Sequence, residues 1–240
     1  MMYDDVADIL SQLVRTALIP PQGMKYAVAD FSAIEARVIS WLANEKWRLD
    51  VFHGDGKIYE ATGEKMFGVP KSEIKKGSVL RDTSKISELA LGYEGGLGAL
   101  KRMGGDKMGL SDTEMMSLVR KWRMANPNIV DMWKEIDEAS KEAVRYHRAV
   151  KCTSKNVIFD CDGEFMTIEL PVGRKLFYYK PEFKDKKIGR STVPIRSLCY
   201  RGIDQTTKQW ISIDTYGGKL TENIVQAVSR DLLGYAMLGM

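Results

Sequence analysis

The chain has 240 residues, enough for one large domain or two small ones, and 44% hydrophobic with 28% charged residues is the balance of an ordinary globular protein. It contains no run of about 18 apolar residues, which excludes a membrane-spanning helix, and the acidic start Met1-Met-Tyr-Asp-Asp5 does not read as a secretory leader. The net charge of +4 does not alone point to nucleic acid.

Residues 5–19 read as a short helix closed by Pro20-Pro21 and Gly23. The apolar run from Lys25 to Asp30 predicts a strand, and Ile34, Val38, Trp41 and Leu42 predict a helix over about 33–44. Residues 45–80 are mixed, with a turn at His53-Gly-Asp-Gly56 and helices near 57–66 and 71–76. A helix from Val79 to Tyr93 meets a glycine-rich break, and a short helix follows over Leu97–Met103. Ser111-Asp-Thr-Glu114 is a capping box opening a helix that runs to Asn126-Pro127, and another continues to about His147. Met116, Val119, Trp122, Ile129, Trp133, Ile136 and Val144 are the expected buried positions of this pair.

Beyond residue 150 the period shortens. Val157–Phe159, Phe165–Ile168, Lys175–Tyr179 and Gln209–Ile213 read as strands, with turns at Asp162-Gly163 and Pro171-Val-Gly173. Gly217-Gly218 then breaks the chain before a helix from about Thr221. Cys152, Cys161 and Cys199 form no C-x-x-C pair, and only His53 and His147 could join them, so a structural zinc site is not expected. Reduced thiols in a cytosolic compartment fit this usage.

Three constellations carry chemistry. Asp30 ends the apolar run just before a helix, a position that suits a hard cation but also a helix N-cap. Glu35 sits in the first turns of that helix, where a carboxylate also answers the helix dipole. Arg81, Lys85, Leu89 and Tyr93 recur every four residues and line one stripe of their helix, cationic first, then apolar, then aromatic. That order matches the phosphates, sugar and base of a nucleoside triphosphate, and an amphipathic surface helix would show it too. From Arg174 to Arg201, nine basic residues face only Glu182 and Asp185, a candidate backbone-phosphate surface or a solvated hairpin face.

Tyr26-Ala-Val-Ala-Asp30-Phe-Ser32-Ala-Ile-Glu35-Ala-Arg37 closely resembles the first catalytic motif of the family A, DNA polymerase I-like enzymes, in their bacteriophage and prophage form. Arg81-Asp-Thr-Ser-Lys85-Ile-Ser-Glu-Leu89-Ala-Leu-Gly-Tyr93 resembles the family's second motif, on the O helix of the fingers. The resemblance implies that Asp30 and the Phe31 carbonyl hold Mg²⁺ in a two-metal site, and that Glu35 excludes a ribonucleotide's 2′-hydroxyl. It implies that Arg81 and Lys85 hold the triphosphate, with Lys85 also catalytic, that Leu89 touches the nucleotide, and that Tyr93 holds the template-base position. Ser32 and Arg37 match the motif in support. Tyr59 stands where relatives often place a histidine near the triphosphate, and Leu89 where many carry an aromatic ring. Thr221-Glu-Asn223-Ile-Val-Gln226-Ala-Val-Ser-Arg230-Asp231 is similar to the palm helix whose glutamine meets the primer terminus, which makes Gln226 and Arg230 DNA contacts, with Arg174 near the primer strand.

The implied fold is α+β: a partial antiparallel polymerase palm, a mostly helical fingers subdomain and a β-hairpin-rich segment. The expected boundaries are palm 1–44, fingers 45–149, a β-rich segment 150–218 and a palm helix 219–240. The implied reaction is addition of dNTPs to a primer 3′ end on primer-template DNA, in a bacterial host cytosol. No His-Asp pair occurs in the sequence, whereas the family carries its second metal-binding aspartate in a His-Asp-Glu motif after the Gln226 helix. The expectation is therefore a palm-and-fingers segment that is inactive alone and is completed by a second polypeptide. A non-catalytic DNA-binding module and an inactive remnant are the alternatives.

Overall fold

The computed structural model describes residues 6–153, 155–186 and 195–239. The chain divides into two compact units, Met1–Ser32 and Ala33–Met240. The first holds helix α1 (Val6–Leu13), continued by a 3₁₀ turn over Val14–Ala17. Thr16 Oγ1 donates to the Leu13 carbonyl at 2.6 Å and closes this turn. The strand expected from Lys25 to Asp30 is not formed: the segment is irregular, and Val28 is 93% exposed. An apolar run favours extended backbone, but a strand exists only through a neighbour's N–H and C=O groups. Among the described residues the sheet strands pair only with one another.

The second unit begins with α2 (Ile34–Ala43), α3 (Lys46–His53), α4 (Ile58–Phe67) and a 3₁₀ turn at Lys71–Glu73. It continues through α5 (Val79–Leu91), α6 (Leu97–Arg102), α7 (Asp112–Ala125) and α8 (Pro127–Tyr146). Six strands follow, β1 (Val150–Lys151), β2 (Ile158–Cys161), β3 (Phe165–Glu169), β4 (Lys175–Lys186), β5 (Ile195–Ile203) and β6 (Trp210–Thr215), and then α9 (Gly217–Leu238). The strands form one antiparallel meander in chain order, so the mixed α+β class expected from the sequence is borne out.

The capping box at the start of α7 is present. The Glu114 amide donates to Ser111 Oγ at 3.3 Å, and the Ser111 amide donates to the Glu114 carboxylate at 2.8 Å. Pro127 sits at the first position of α8, where its missing N–H costs nothing. Trp122 and Trp133 stack with ring centroids 5.9 Å apart and fix α7 against α8. Met116 is a correction: it is exposed, and Met115 fills the core beside Leu118 and Val119.

The inner face of the sheet, including Phe159, Met166, Ile168 and Tyr178, joins this core with α8 and α9. In β4, Lys180 and Pro181 form a bulge between the Tyr179–Arg201 and Glu182–Cys199 pairs, with Lys180 at φ 45°.

Helix α9 starts at Gly217, four residues before the expected Thr221. The two glycines form its first turn because the helix end is pressed onto its neighbours. A Cβ on Gly217 would lie 2.1 Å from the Trp133 carbonyl oxygen, and one on Gly218 2.4 Å from the Tyr93 carbonyl oxygen. Their free amides are answered by carboxylates: Gly217 donates to Asp137 at 3.2 Å and Gly218 to Glu94 at 3.0 Å. The same contacts tie α9 to α8 and to the end of α5.

Candidate nucleotide and DNA site

Helix α5 is inverted relative to an ordinary amphipathic helix. Thr83, Ser84, Ser87 and Glu88 are buried together with Ala90 and Leu91, while Lys85 and Leu89 face outward, Leu89 at 46% exposure. Burying this polar side requires partners. Arg48 of α3 grips Glu88 through two nitrogens at 2.9 and 2.6 Å. Thr62 Oγ1 of α4 and Trp122 Nε1 of α7 donate to the same carboxylate at 2.8 and 2.9 Å. Arg48 Nε donates to Ser40 of α2 at 2.8 Å, and its Nη1 to Asn126 at 3.0 Å. One buried ion pair therefore joins four helices to the back of α5, with four of the five Arg48 donors bonded.

On the outward stripe, Arg81 Nε donates to Glu60 of α4 at 2.7 Å, and its guanidinium stands 5.5 Å from the Tyr59 ring centroid. The Glu60 bond raises the Arg81 pKa further, and burial raises that of the Tyr59 hydroxyl. Both keep their protons, so Arg81 remains a cation and Tyr59 a donor. Lys85 is exposed and, among the described residues, has no ion pair, which leaves its ammonium available.

The lower end of the stripe meets two other elements. Glu35, on the first turn of α2, accepts from the Tyr93 hydroxyl at 3.4 Å and from Gln226 Nε2 of α9 at 2.9 Å. Burial, and then the Glu35 carboxylate, push the Tyr93 hydroxyl strongly upward, so it stays protonated and donates. Three residues separated by up to 191 positions, each singled out in the sequence, thus converge through one carboxylate.

Beside Gln226 an open cleft of about 560 Å³ is lined by Arg174, Phe177, Asn223, Gln226 and Arg230. The three expected DNA contacts share it, in different states. The Arg174 guanidinium is locked onto α9, donating to Asp231 at 2.8 Å and to the Ala227 carbonyl at 2.9 Å. Arg230 is largely exposed, with Asp231 only at 4.0 Å. Asn223 Nδ2 donates to the Tyr178 hydroxyl at 2.8 Å, and burial lifts that phenol to about 12. Of the wider basic surface, Lys187 and Arg190 lie outside the described residues. Lys175, Lys184 and Arg201 stand within 3.4, 2.9 and 3.6 Å of Glu169 or Glu182, which reduces the free positive charge there.

Asp30 and Phe31 belong to the first unit, and both are exposed. They offer a carboxylate and a carbonyl oxygen, donors suited to Mg²⁺, but two of the six ligands that ion takes. Among the described residues no group of three or more His, Cys, Asp or Glu side chains could hold a metal.

Sequence reasoning missed Arg48 and Glu88. The available signal was the polar run Thr83, Ser84, Ser87, Glu88 on the side of α5 opposite the stripe. Glu60 also went unnoticed, although it directly follows Tyr59 and meets Arg81.

No family model matches the chain. It is 47% identical over 239 residues, 99% of its length, to the DNA polymerase of Bacillus phage SP02. It is 39% identical over 61 residues, 25% of its length, to DNA polymerase I of Pseudomonas aeruginosa. The matches span 36% of the phage protein and 7% of the bacterial one. The family resemblance read from Asp30, Glu35 and the α5 stripe agrees with a match covering nearly every residue of the chain: it is similar to about a third of a phage DNA polymerase, which supports its reading as a segment of a phage-type family A polymerase.

Proposed function

We propose that the chain supplies the nucleotide-selecting part of an enzyme that adds dNTPs to a primer 3′ end on a DNA template. The observation that carries this reading is the Glu35–Tyr93–Gln226 junction at the foot of the Arg81–Lys85–Leu89 stripe. Arg81 and Lys85 take the triphosphate, Arg81 as a fork and Lys85 as a point charge. Arg81 would exchange Glu60 for a phosphate oxygen, one charge-assisted partner for another. Tyr59 adds a hydroxyl donor beneath it. Leu89 lies against the sugar, and Tyr93 borders the base.

Glu35 has both oxygens pinned, so it stands as a fixed wall rather than a movable side chain. A 2′-hydroxyl pressed against it would displace a bond to Tyr93 or Gln226. Gln226 uses one amide hydrogen on Glu35 and keeps a second for a minor-groove acceptor shared by all base pairs. Arg230 meets backbone phosphate, and Arg174 holds α9 in place. Mg²⁺ bound at the Asp30 carboxylate and the Phe31 carbonyl would supply activation of the primer hydroxyl and stabilisation of the leaving oxygen. Two donors leave the rest of the ion's six-ligand shell to other groups.

Glu35→Ala tests the selecting role. In an extending enzyme the substitution is expected to raise ribonucleotide incorporation relative to the matching deoxynucleotide by about tenfold or more, since each 1.4 kcal/mol of lost discrimination is tenfold. Unchanged sugar selectivity would remove Glu35 from that role.

A further inference from the structure

The outer face of the sheet carries a feature of which only Phe177, at the edge of the Gln226 cleft, adjoins the site described above. Phe165 of β3 lies between two rings of β4, 6.1 Å from Phe177 and 5.2 Å from Tyr179. Tyr179 continues to Trp210 of β6 at 6.1 Å. The result is an unbroken row of four rings across the sheet. Its two ends, Phe177 and Trp210, are 65% and 56% exposed. Exposed large aromatics cost stability unless something covers them in function.

Charge accompanies the rings. The bulge in β4 turns Lys180 over Tyr179, its ammonium 5.4 Å from the ring centroid. Arg201 is paired directly with Tyr179 across the ladder. On this face Lys180 and Arg201 flank the rings, with Glu182 3.6 Å from Arg201. A ring row flanked by the Lys180 ammonium and the Arg201 guanidinium complements a chain of flat bases on a phosphate backbone. A duplex offers its bases only as edges in a groove and cannot stack on such a row.

We propose that this face binds an unpaired DNA strand, with bases stacked on Phe177 and Trp210 and phosphates near Lys180 and Arg201. The surface lies on β3–β6, apart from α5, so it goes beyond the dNTP-site reading and does not depend on it. DNA is chosen over RNA because the phage protein that the chain matches over 99% of its length is named a DNA polymerase.

The test is equilibrium binding of a fluorescent oligo-dT to the full chain, without dNTP or metal. Phe177→Leu and Trp210→Leu are each expected to weaken binding roughly fivefold or more, the fold-change of losing one base–ring stack. Phe177→Tyr and Trp210→Phe should keep affinity within about threefold. Both positions are exposed, so the variants retain the fold. Equal affinity of the leucine variants and the parent would overturn the proposal, as would tighter binding of a blunt duplex than of oligo-dT. Self-association of the parent that is lost in the leucine variants, with oligo-dT affinity unchanged, would instead assign the face to a second copy of the chain. Lys85→Ala serves as the separate arm: it reads triphosphate binding, so failure of either reading leaves the other measurable.

Discussion

Arg48→Ala is expected to lower the stability of the second unit by about 3–5 kcal/mol, the range for removing one partner of a buried ion pair. The loss is large because Arg48 is almost wholly enclosed, and its removal strands Glu88 as an uncompensated charge among Thr62 and Trp122. Ser40 and Asn126 lose their partner at the same time. Urea denaturation should show a lower midpoint with an unchanged slope. Replacing both charges, with Arg48→Met and Glu88→Leu, should recover part of the loss, because no buried charge is then left unpaired. A cost under about 1 kcal/mol for the single substitution would mean that the pair behaves like an exposed one. The network sits behind α5, so its loss also loosens the helix that presents Arg81 and Lys85.

Lys85→Ala is expected to weaken Mg²⁺-dNTP binding by about 1.5–3 kcal/mol, a loss of more than tenfold in affinity, the value of a charge-assisted hydrogen bond. Lys85 is the exposed cation of the stripe and, among the described residues, is without an ion pair, so its removal costs no internal partner. Stability should therefore stay within about 0.5 kcal/mol of the parent, the usual bound for such surface changes. Equal dNTP affinity in variant and parent would contradict the role given to the α5 stripe. Arg81→Ala is less clean, because it also releases Glu60 and uncovers Tyr59.

The helical part of the fold was legible because its signals are local. The capping box at Ser111, Pro127 after Asn126 and the spacing of Trp122 and Trp133 each act within a few residues. Elements fixed by distant partners were harder to read. The Lys25–Asp30 run has strand composition but no ladder partner among the described strands. β5 was not among the expected strands, because Ser197, Cys199 and Arg201 fill one side of its alternation and leave few apolar residues to mark it. α3 was hidden for a related reason: its buried position is an arginine, which breaks the apolar period, and only Glu88, 40 residues on, explains that burial. For the site, spacing by four placed the stripe on one face of α5, but did not show which face was buried. Glu35, Tyr93 and Gln226 could be chosen singly, while their meeting depends on the Gly217-Gly218 turn that seats α9 against Trp133 and Tyr93.

The most direct measurement is primer extension on primed DNA with dNTPs and Mg²⁺, comparing the chain with and without a palm segment that supplies the second catalytic aspartate. Extension is expected when that segment is present, and Asp30→Ala is expected to abolish it. Extension that survives Asp30→Ala, or no extension from the completed and folded assembly, would contradict the proposed function.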